Sequence, residues 1–144
     1  MYKIEKIEFG LRLEFKGAIS GKEMAGWYRG IEEIVPTFKG SPFHVFVDMR
    51  TLIPLRDDAR EIITKGQRFC QKNGMVRSIV ITASPVISMQ FKSIAFNTTI
   101  ATGERYIDAT SRTDWEEAGM AWLLEGIDPT QKVAPVGLSD DKIV

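Results

Sequence analysis

The sequence has little of the chemistry that most enzymes and metal proteins need, with one cysteine and one histidine in 144 residues. Cys70 has no partner for an internal disulfide, and it falls in an apolar helical stripe typical of a buried thiol. Because His44 is the only histidine, sites built from several histidines and two-histidine proton relays are excluded. We therefore expect no metal and no cofactor, and a reducing compartment, the cytoplasm.

Net charge and long apolar runs are also missing. The 19 basic and 19 acidic side chains cancel, so no global field attracts the chain to nucleic acid or to an anionic membrane. The first ten residues carry frequent charges and no long apolar run, which argues against a signal peptide or a spanning helix. We expect neither nucleic-acid binding nor integral membrane association.

Two further kinds of active site are absent from the sequence. It contains no glycine-rich phosphate loop of the GxGxxG or GxxxxGK type. Asp57 and Asp58 are adjacent, as are Glu116 and Glu117, so the side chains of each pair diverge by about 100° around a helix and form no acid and base pair. His44 is interpreted as a strand residue bonded to a neighbouring backbone group. We therefore expect no catalytic residues and do not expect an enzyme.

What the chain does contain is a regular alternation of strands and helices. Apolar and polar residues alternate on both sides of Gly10, which predicts an antiparallel hairpin. Ser20 with Glu23 predicts the start of the first helix, and Thr113 with Glu116 predicts the start of the last one, each as a capping box.

The predicted order of elements is ββαβαβαβα. This order indicates an α/β fold with a mixed sheet, an opening antiparallel hairpin and four helices. We expect a single domain at residues 1–126. Residues 127–144 show no periodicity and, from Asp128 onward, contain two prolines, a glycine and a terminal acidic pair, so we interpret them as an irregular tail, partly disordered.

Three stretches carry a resemblance to a known family: FHVFVD at Phe43–Asp48, the apolar strand SIVIT at Ser78–Thr82 and EEAGMAWL at Glu116–Leu123. Together with the element order they resemble the STAS or SpoIIAA-like fold of anti-sigma-factor antagonists, and in particular small uncharacterised bacterial proteins with that fold. The resemblance covers about residues 2–126 and implies a cytoplasmic, non-enzymatic module for protein interaction or regulation. It extends loosely to lipid-binding domains, so a binder or carrier of a small apolar molecule or lipid is the alternative.

The chain departs from the family where a helix follows the FHVFVD strand. In the antagonists this loop reads Asp-Ser-Ser-Gly and one serine is phosphorylated, whereas here residues 56–59 read Arg-Asp-Asp-Ala. A carboxylate there complements the positive end of the helix dipole, and it would also imitate a phosphoserine permanently. We expect Arg50 and Arg56 to pair with the nearby acidic residues. The resemblance implies a partner-binding switch loop that no kinase controls, formed by Asp48, Arg50, Thr51, Arg56, Asp57 and Asp58.

The segment at 85–102 has more apolar residues than one buried helical stripe requires. At about 100° per residue, one side of the predicted helix consists of Ile87, Phe91, Ile94 and Ala101. A second apolar side consists of Val86, Met89, Phe96 and Ile100. This second side is expected to meet a neighbouring helix of the chain, the other copy of a homodimer, or an apolar ligand.

Overall fold

The computed structural model describes residues 1–98 and 103–130. Its strands are β1 (Tyr2–Ile7), β2 (Gly10–Gly17), β3 (Phe43–Leu52), β4 (Met75–Thr82) and β5 (Glu104–Asp108). Its helices are α1 (Gly21–Ile34), α2 (Asp57–Lys72), α3 (Pro85–Thr98) and α4 (Trp115–Glu125), with a 3-10 turn at Val35–Phe38. The predicted α/β class, with a mixed sheet and four helices, is confirmed within these residues.

The five strands form one sheet in the order β1-β2-β3-β4-β5. β1 is antiparallel to β2, and every other neighbouring pair is parallel. Gly10 opens β2 with a φ of 148°, as the predicted hairpin requires. A Cβ at this position would lie 2.1 Å from the carbonyl oxygen of His44. Glycine at position 10 therefore allows β2 to approach β3 closely at the first residue of β2.

The helices cover the two faces of the sheet unequally. One face packs against α1, α2 and α3 around a core that includes Phe15, Trp27 and Ile63. Among the described helices, only α4 covers the opposite face, over the part formed by β3, β4 and β5. Gly119 lets α4 come close, because a Cβ there would lie 2.9 Å from the ring of Phe46. On the α4 face, the part of the sheet beside α4 is less covered, and polar side chains of β2 and β3 can lie there.

The first predicted helix start is confirmed and the last is wrong. Ser20 caps α1, with its hydroxyl oxygen accepting a hydrogen bond from the backbone N–H of Glu23 at 3.1 Å. Thr113 does not cap α4, which begins at Trp115 after Asp114 without a side-chain cap bond. The carboxylate of Asp114 is instead held by Arg112, with Nε 2.7 Å from Oδ1.

The first residues of the predicted tail are held against the domain. Asp128 accepts a hydrogen bond from Arg105 Nε at 2.9 Å, and the carbonyl oxygen of Pro129 accepts one from Arg112 at 3.2 Å. Residues 131–144, the rest of that tail, lie outside the described residues. In the part of the chain that the structure covers, no helix combines the length and the apolar character needed to cross a bilayer.

Candidate functional site

The predicted switch loop is partly strand. β3 does not end at Asp48 but continues to Leu52, because Thr51 and Leu52 pair with Lys16 and Gly17 of β2. Arg50 and Thr51 therefore lie on the strand, and the connection to α2 is formed by residues 53–56 alone. Of the six residues assigned to the loop, three therefore lie on β3 and two open α2, and only Arg56 lies in the connection.

Asp48 and Arg50 form a closed pair at the carboxyl end of β3. The guanidinium of Arg50 donates from Nε to Oδ1 and from Nη2 to Oδ2 of the buried carboxylate, both at 3.0 Å, and the backbone N–H of Arg50 adds a third bond at 3.1 Å. Burial alone would raise the pKa of Asp48, but the hydrogen bonds from Arg50 outweigh it and hold the pKa below its ordinary value. The negative charge of Asp48 and the positive charge of Arg50 therefore compensate each other within the protein.

The same arginine connects the sheet to α4. Its guanidinium lies 4.2 Å from the ring centroid of Trp115, a cation–π contact. Beside it, Arg12 lies 4.5 Å from the ring centroid of Phe46 and is 3.2 Å from Glu116. Arg50 thus behaves as the expected salt-bridge partner and also positions the first turn of α4.

Asp58 lies where the N-termini of α1 and α2 meet. Its Oδ1 accepts a hydrogen bond from the backbone N–H of Ala59 at 2.8 Å. Its Oδ2 lies so close to Gly21 that a Cβ at Gly21 would be 2.4 Å away. The carboxylate therefore faces the positive ends of two helix dipoles, where the sequence alone predicted one. Arg56 forms no ion pair with any described residue, unlike Arg50.

The two predicted sides of α3 separate in the structure. Ile87, Phe91 and Ile94 are buried against the core. On the other side Val86, Met89 and Phe96 are 53%, 72% and 77% exposed. We call these three residues the exposed α3 face. Ile100, the fourth residue predicted for this side, and Ala101, the fourth predicted for the buried side, lie outside the described residues.

Gln90 joins this helix to the connection that precedes α2. Its side-chain amide donates to the carbonyl oxygen of Leu55 at 3.0 Å and accepts from the backbone N–H of Leu55 at 2.9 Å. A second link runs from Arg60 Nη2 to Ser93 Oγ at 3.2 Å. The predicted switch loop and the exposed α3 face are therefore neighbours in one surface. No periodicity in the sequence indicated the role of Gln90, since a single glutamine on a helix is ordinary.

A buried carboxyl group lies on the helix-rich face of the sheet and was not predicted from the sequence. Glu104 accepts hydrogen bonds from Ser78 Oγ at 2.8 Å and from the hydroxyl of Tyr106. Burial raises the pKa of Glu104 to about 7. The only signal for it was an acidic residue at the start of the short strand ERYID.

Two residues considered as reactive groups have structural surroundings. Burial raises the pKa of the Cys70 thiol to about 12, so it carries no nucleophilic thiolate at neutral pH. His44 Nδ1 accepts a hydrogen bond from the backbone N–H of Arg77 at 3.3 Å, as expected of a strand histidine. Burial, with the charge of Arg77, lowers its pKa. Among the described residues, no cluster of three or more histidine, cysteine or acidic side chains has the arrangement of a metal site.

Comparisons with known proteins give no relative for this chain: no family model, no curated protein and no solved structure shows a significant match.

Proposed function

We propose that this chain is a cytoplasmic, non-enzymatic protein-interaction module of the STAS or SpoIIAA-like type. Its partner docks on the exposed α3 face and the bordering connection at residues 53–56, and the first candidate partner is a second copy of the chain. The proposal rests above all on Met89 and Phe96, which are 72% and 77% exposed on a helix whose opposite side is fully packed.

Large apolar side chains grouped on one surface favour a binding role. Single exposed apolar residues are normal, but a group rimmed by polar residues is typical of protein interaction sites. Methionine and aromatic residues are enriched at the centres of such interfaces. Ile53, on the connection held by Gln90, is also 53% exposed. Arg56, Asp57 and Asp58 supply the charged rim next to it.

The state of the titratable groups supports a role without catalysis. Asp48 is neutralised by a two-bond contact with Arg50, and the Cys70 thiol is held protonated by burial. Glu104 is buried, with both carboxyl oxygens occupied by protein donors. None of these three groups combines an exposed position with an adjacent base or acid, which general acid and base catalysis requires.

The same proposal places a permanent negative charge where the related antagonists carry a switchable one. Asp57 and Asp58 provide carboxylates at the start of α2, and Asp58 sits between two helix N-termini. A helix N-terminus stabilises a carboxylate and a phosphate by the same electrostatics. The charge is therefore always present, and partner binding at this surface would not depend on a kinase.

Site-specific photo-crosslinking tests this surface. A benzoylphenylalanine is placed at position 89 and, as a matched control, at position 124, where Leu124 is 54% exposed on α4. We expect irradiation of cells that naturally make the protein to give one discrete adduct from position 89 and none from position 124. An adduct of twice the mass of the chain identifies the second copy. No adduct at position 89, or the same adducts at both positions, would count against the proposal.

A further inference from the structure

A cavity lies between α2 and the sheet, away from the exposed α3 face. It has about 30 Å³ of space for water centres. Most of its wall is apolar and includes Val45, Val47, Ile63 and Val80. Four polar side chains also line it: those of Trp27 on α1, Gln67 on α2, Ser78 on β4 and Glu104 on β5.

Two of the residues in this wall each have a buried polar atom without a hydrogen-bond partner among the described residues. These atoms are Nε1 of Trp27, which can only donate, and Oε1 of Gln67, which can only accept. Both atoms are shielded from solvent, and Trp27 as a whole is 2% exposed. Buried polar atoms in folded proteins are nearly always bonded to something. A molecule in the cavity that offers both an acceptor and a donor would satisfy them.

The carboxyl group of Glu104 has hydrogen-bond partners within the protein. Each of its carboxyl oxygens already accepts a hydrogen bond, one from Ser78 and one from Tyr106. The two unsatisfied atoms, on Trp27 and Gln67, are uncharged. A hydroxyl group can accept from the Trp27 N–H and donate to Gln67, whereas an ammonium group can only donate and would leave the Trp27 N–H without an acceptor.

We infer that this cavity is a binding site for a small neutral molecule that has a short carbon chain and one or two hydroxyl groups. The carbon chain contacts the valine and isoleucine side chains, and the hydroxyl oxygen and hydrogen bond Trp27 and Gln67. Since one water needs roughly 10 to 15 Å³ of such space, the cavity holds about two waters or a molecule of a few heavy atoms. A lipid chain is too large for it.

The indole N–H signals of the protein provide a direct test, because the chain has three tryptophans and only Trp27 lines the cavity. The isotope-labelled full chain is titrated with 1-propanol and with 1,3-propanediol, and its amide and indole resonances are followed. We expect a saturable shift of the Trp27 indole, while those of Trp115 and Trp122 stay in place. Xenon, which occupies dry apolar cavities, serves as the apolar comparison.

Two variants test the polar contacts. Trp27→Phe keeps an aromatic ring and removes the donor, and Gln67→Leu removes the acceptor. Each is expected to weaken alcohol binding by about three- to tenfold, followed through the amide of Gly66 in the cavity wall. Trp115→Phe, on the opposite face of the sheet, is the matched control and should bind as the unchanged chain does.

Three results would overturn the inference. The first is that all three indoles shift linearly and equally with either alcohol, which indicates a solvent effect. The second is that xenon binds and neither alcohol does, which indicates a purely apolar cavity. The third is that water stays bound next to the Trp27 indole and neither alcohol displaces it. None of these results bears on docking at the exposed α3 face, so the two proposals can fail separately.

Discussion

The side chain of Gln90 on α3 is bonded at both ends to the backbone of Leu55, donating to its carbonyl oxygen at 3.0 Å and accepting from its N–H at 2.9 Å. Leu55 is buried, so these backbone groups have little access to water as replacement partners. One glutamine thus fixes the connection before α2 against the helix that presents Met89 and Phe96.

Replacing Gln90 with leucine should loosen this connection. The substitution keeps an apolar stem of similar length but leaves the N–H and the carbonyl oxygen of Leu55 without their partners. We expect a loss of about 1 to 3 kcal/mol in the free energy of unfolding, and faster hydrogen exchange at the Leu55 amide. Gln90→Glu, which keeps the acceptor and loses the donor, should preserve more of the amide protection. Equal protection in all three proteins would show that the bonds do not hold the loop.

Much of the fold followed from local patterns in the sequence. The alternation around Gly10, the cap at Ser20 and the helical stripe of Ile87, Phe91 and Ile94 are set by neighbours in sequence, and each appears in the structure. Such features depend on short-range geometry, so spacing alone predicts them.

The relationships that join distant segments did not follow from the sequence. β3 runs past Asp48 because β2 offers further pairing, and Asp58 meets Gly21 because α1 and α2 begin at the same end of the sheet. The burial of Glu104 likewise depends on which helices cover β5. A single sequence gives no measure of such long-range packing, and the contacts of Gln90 belong to the same class.

The two phenylalanines of α3 should respond oppositely to substitution. Phe91 is fully buried, so Phe91→Ala should lower the free energy of unfolding by about 3 to 5 kcal/mol. Phe96 is 77% exposed, so Phe96→Ala should change it by no more than about 0.5 kcal/mol. Denaturant unfolding at low protein concentration provides the comparison. If Phe96→Ala were as damaging as Phe91→Ala, Phe96 would belong to the core and the exposed α3 face would not exist.

Alanine substitution should affect stability differently at Gly66 of α2 and at Gly21 of α1. A Cβ at Gly66 would lie 2.3 Å from the ring of the buried Trp27, which cannot move aside in a packed core. Gly66→Ala should therefore destabilise the protein by about 1 to 3 kcal/mol, although alanine favours helix. At Gly21 the Cβ would meet only the carboxylate of exposed Asp58, which can rotate.

Thermal unfolding of both alanine variants separates these cases. Gly21→Ala is expected to change the free energy of unfolding by at most about 0.5 kcal/mol, since the gain in helix propensity offsets the displaced Asp58 contact. A Gly66→Ala protein as stable as the unchanged chain would mean that the cavity beside Trp27 absorbs the extra methyl group.

The buried carboxyl of Glu104 makes stability depend on pH. Its pKa is about 7 in the folded protein and 4.5 in the reference state, so between these values the folded state binds a proton that the unfolded state has lost. The free energy of unfolding therefore falls as the pH rises from about 4.5 through 7. A pKa difference of about 2.5, at about 1.4 kcal/mol for each pKa unit, corresponds to on the order of 3 kcal/mol.

The Glu104→Gln variant isolates this contribution, because glutamine resembles the protonated acid and does not titrate. His44 titrates in an overlapping range with the opposite sign, since its lowered pKa makes stability rise with pH toward 6.5. The difference in unfolding free energy between Glu104→Gln and the unchanged chain cancels the His44 contribution. We expect this difference to grow in favour of the variant from pH 5 to pH 8, as measured by urea unfolding. A difference that stays constant over this range would mean that Glu104 ionises in the folded protein as easily as in the unfolded chain.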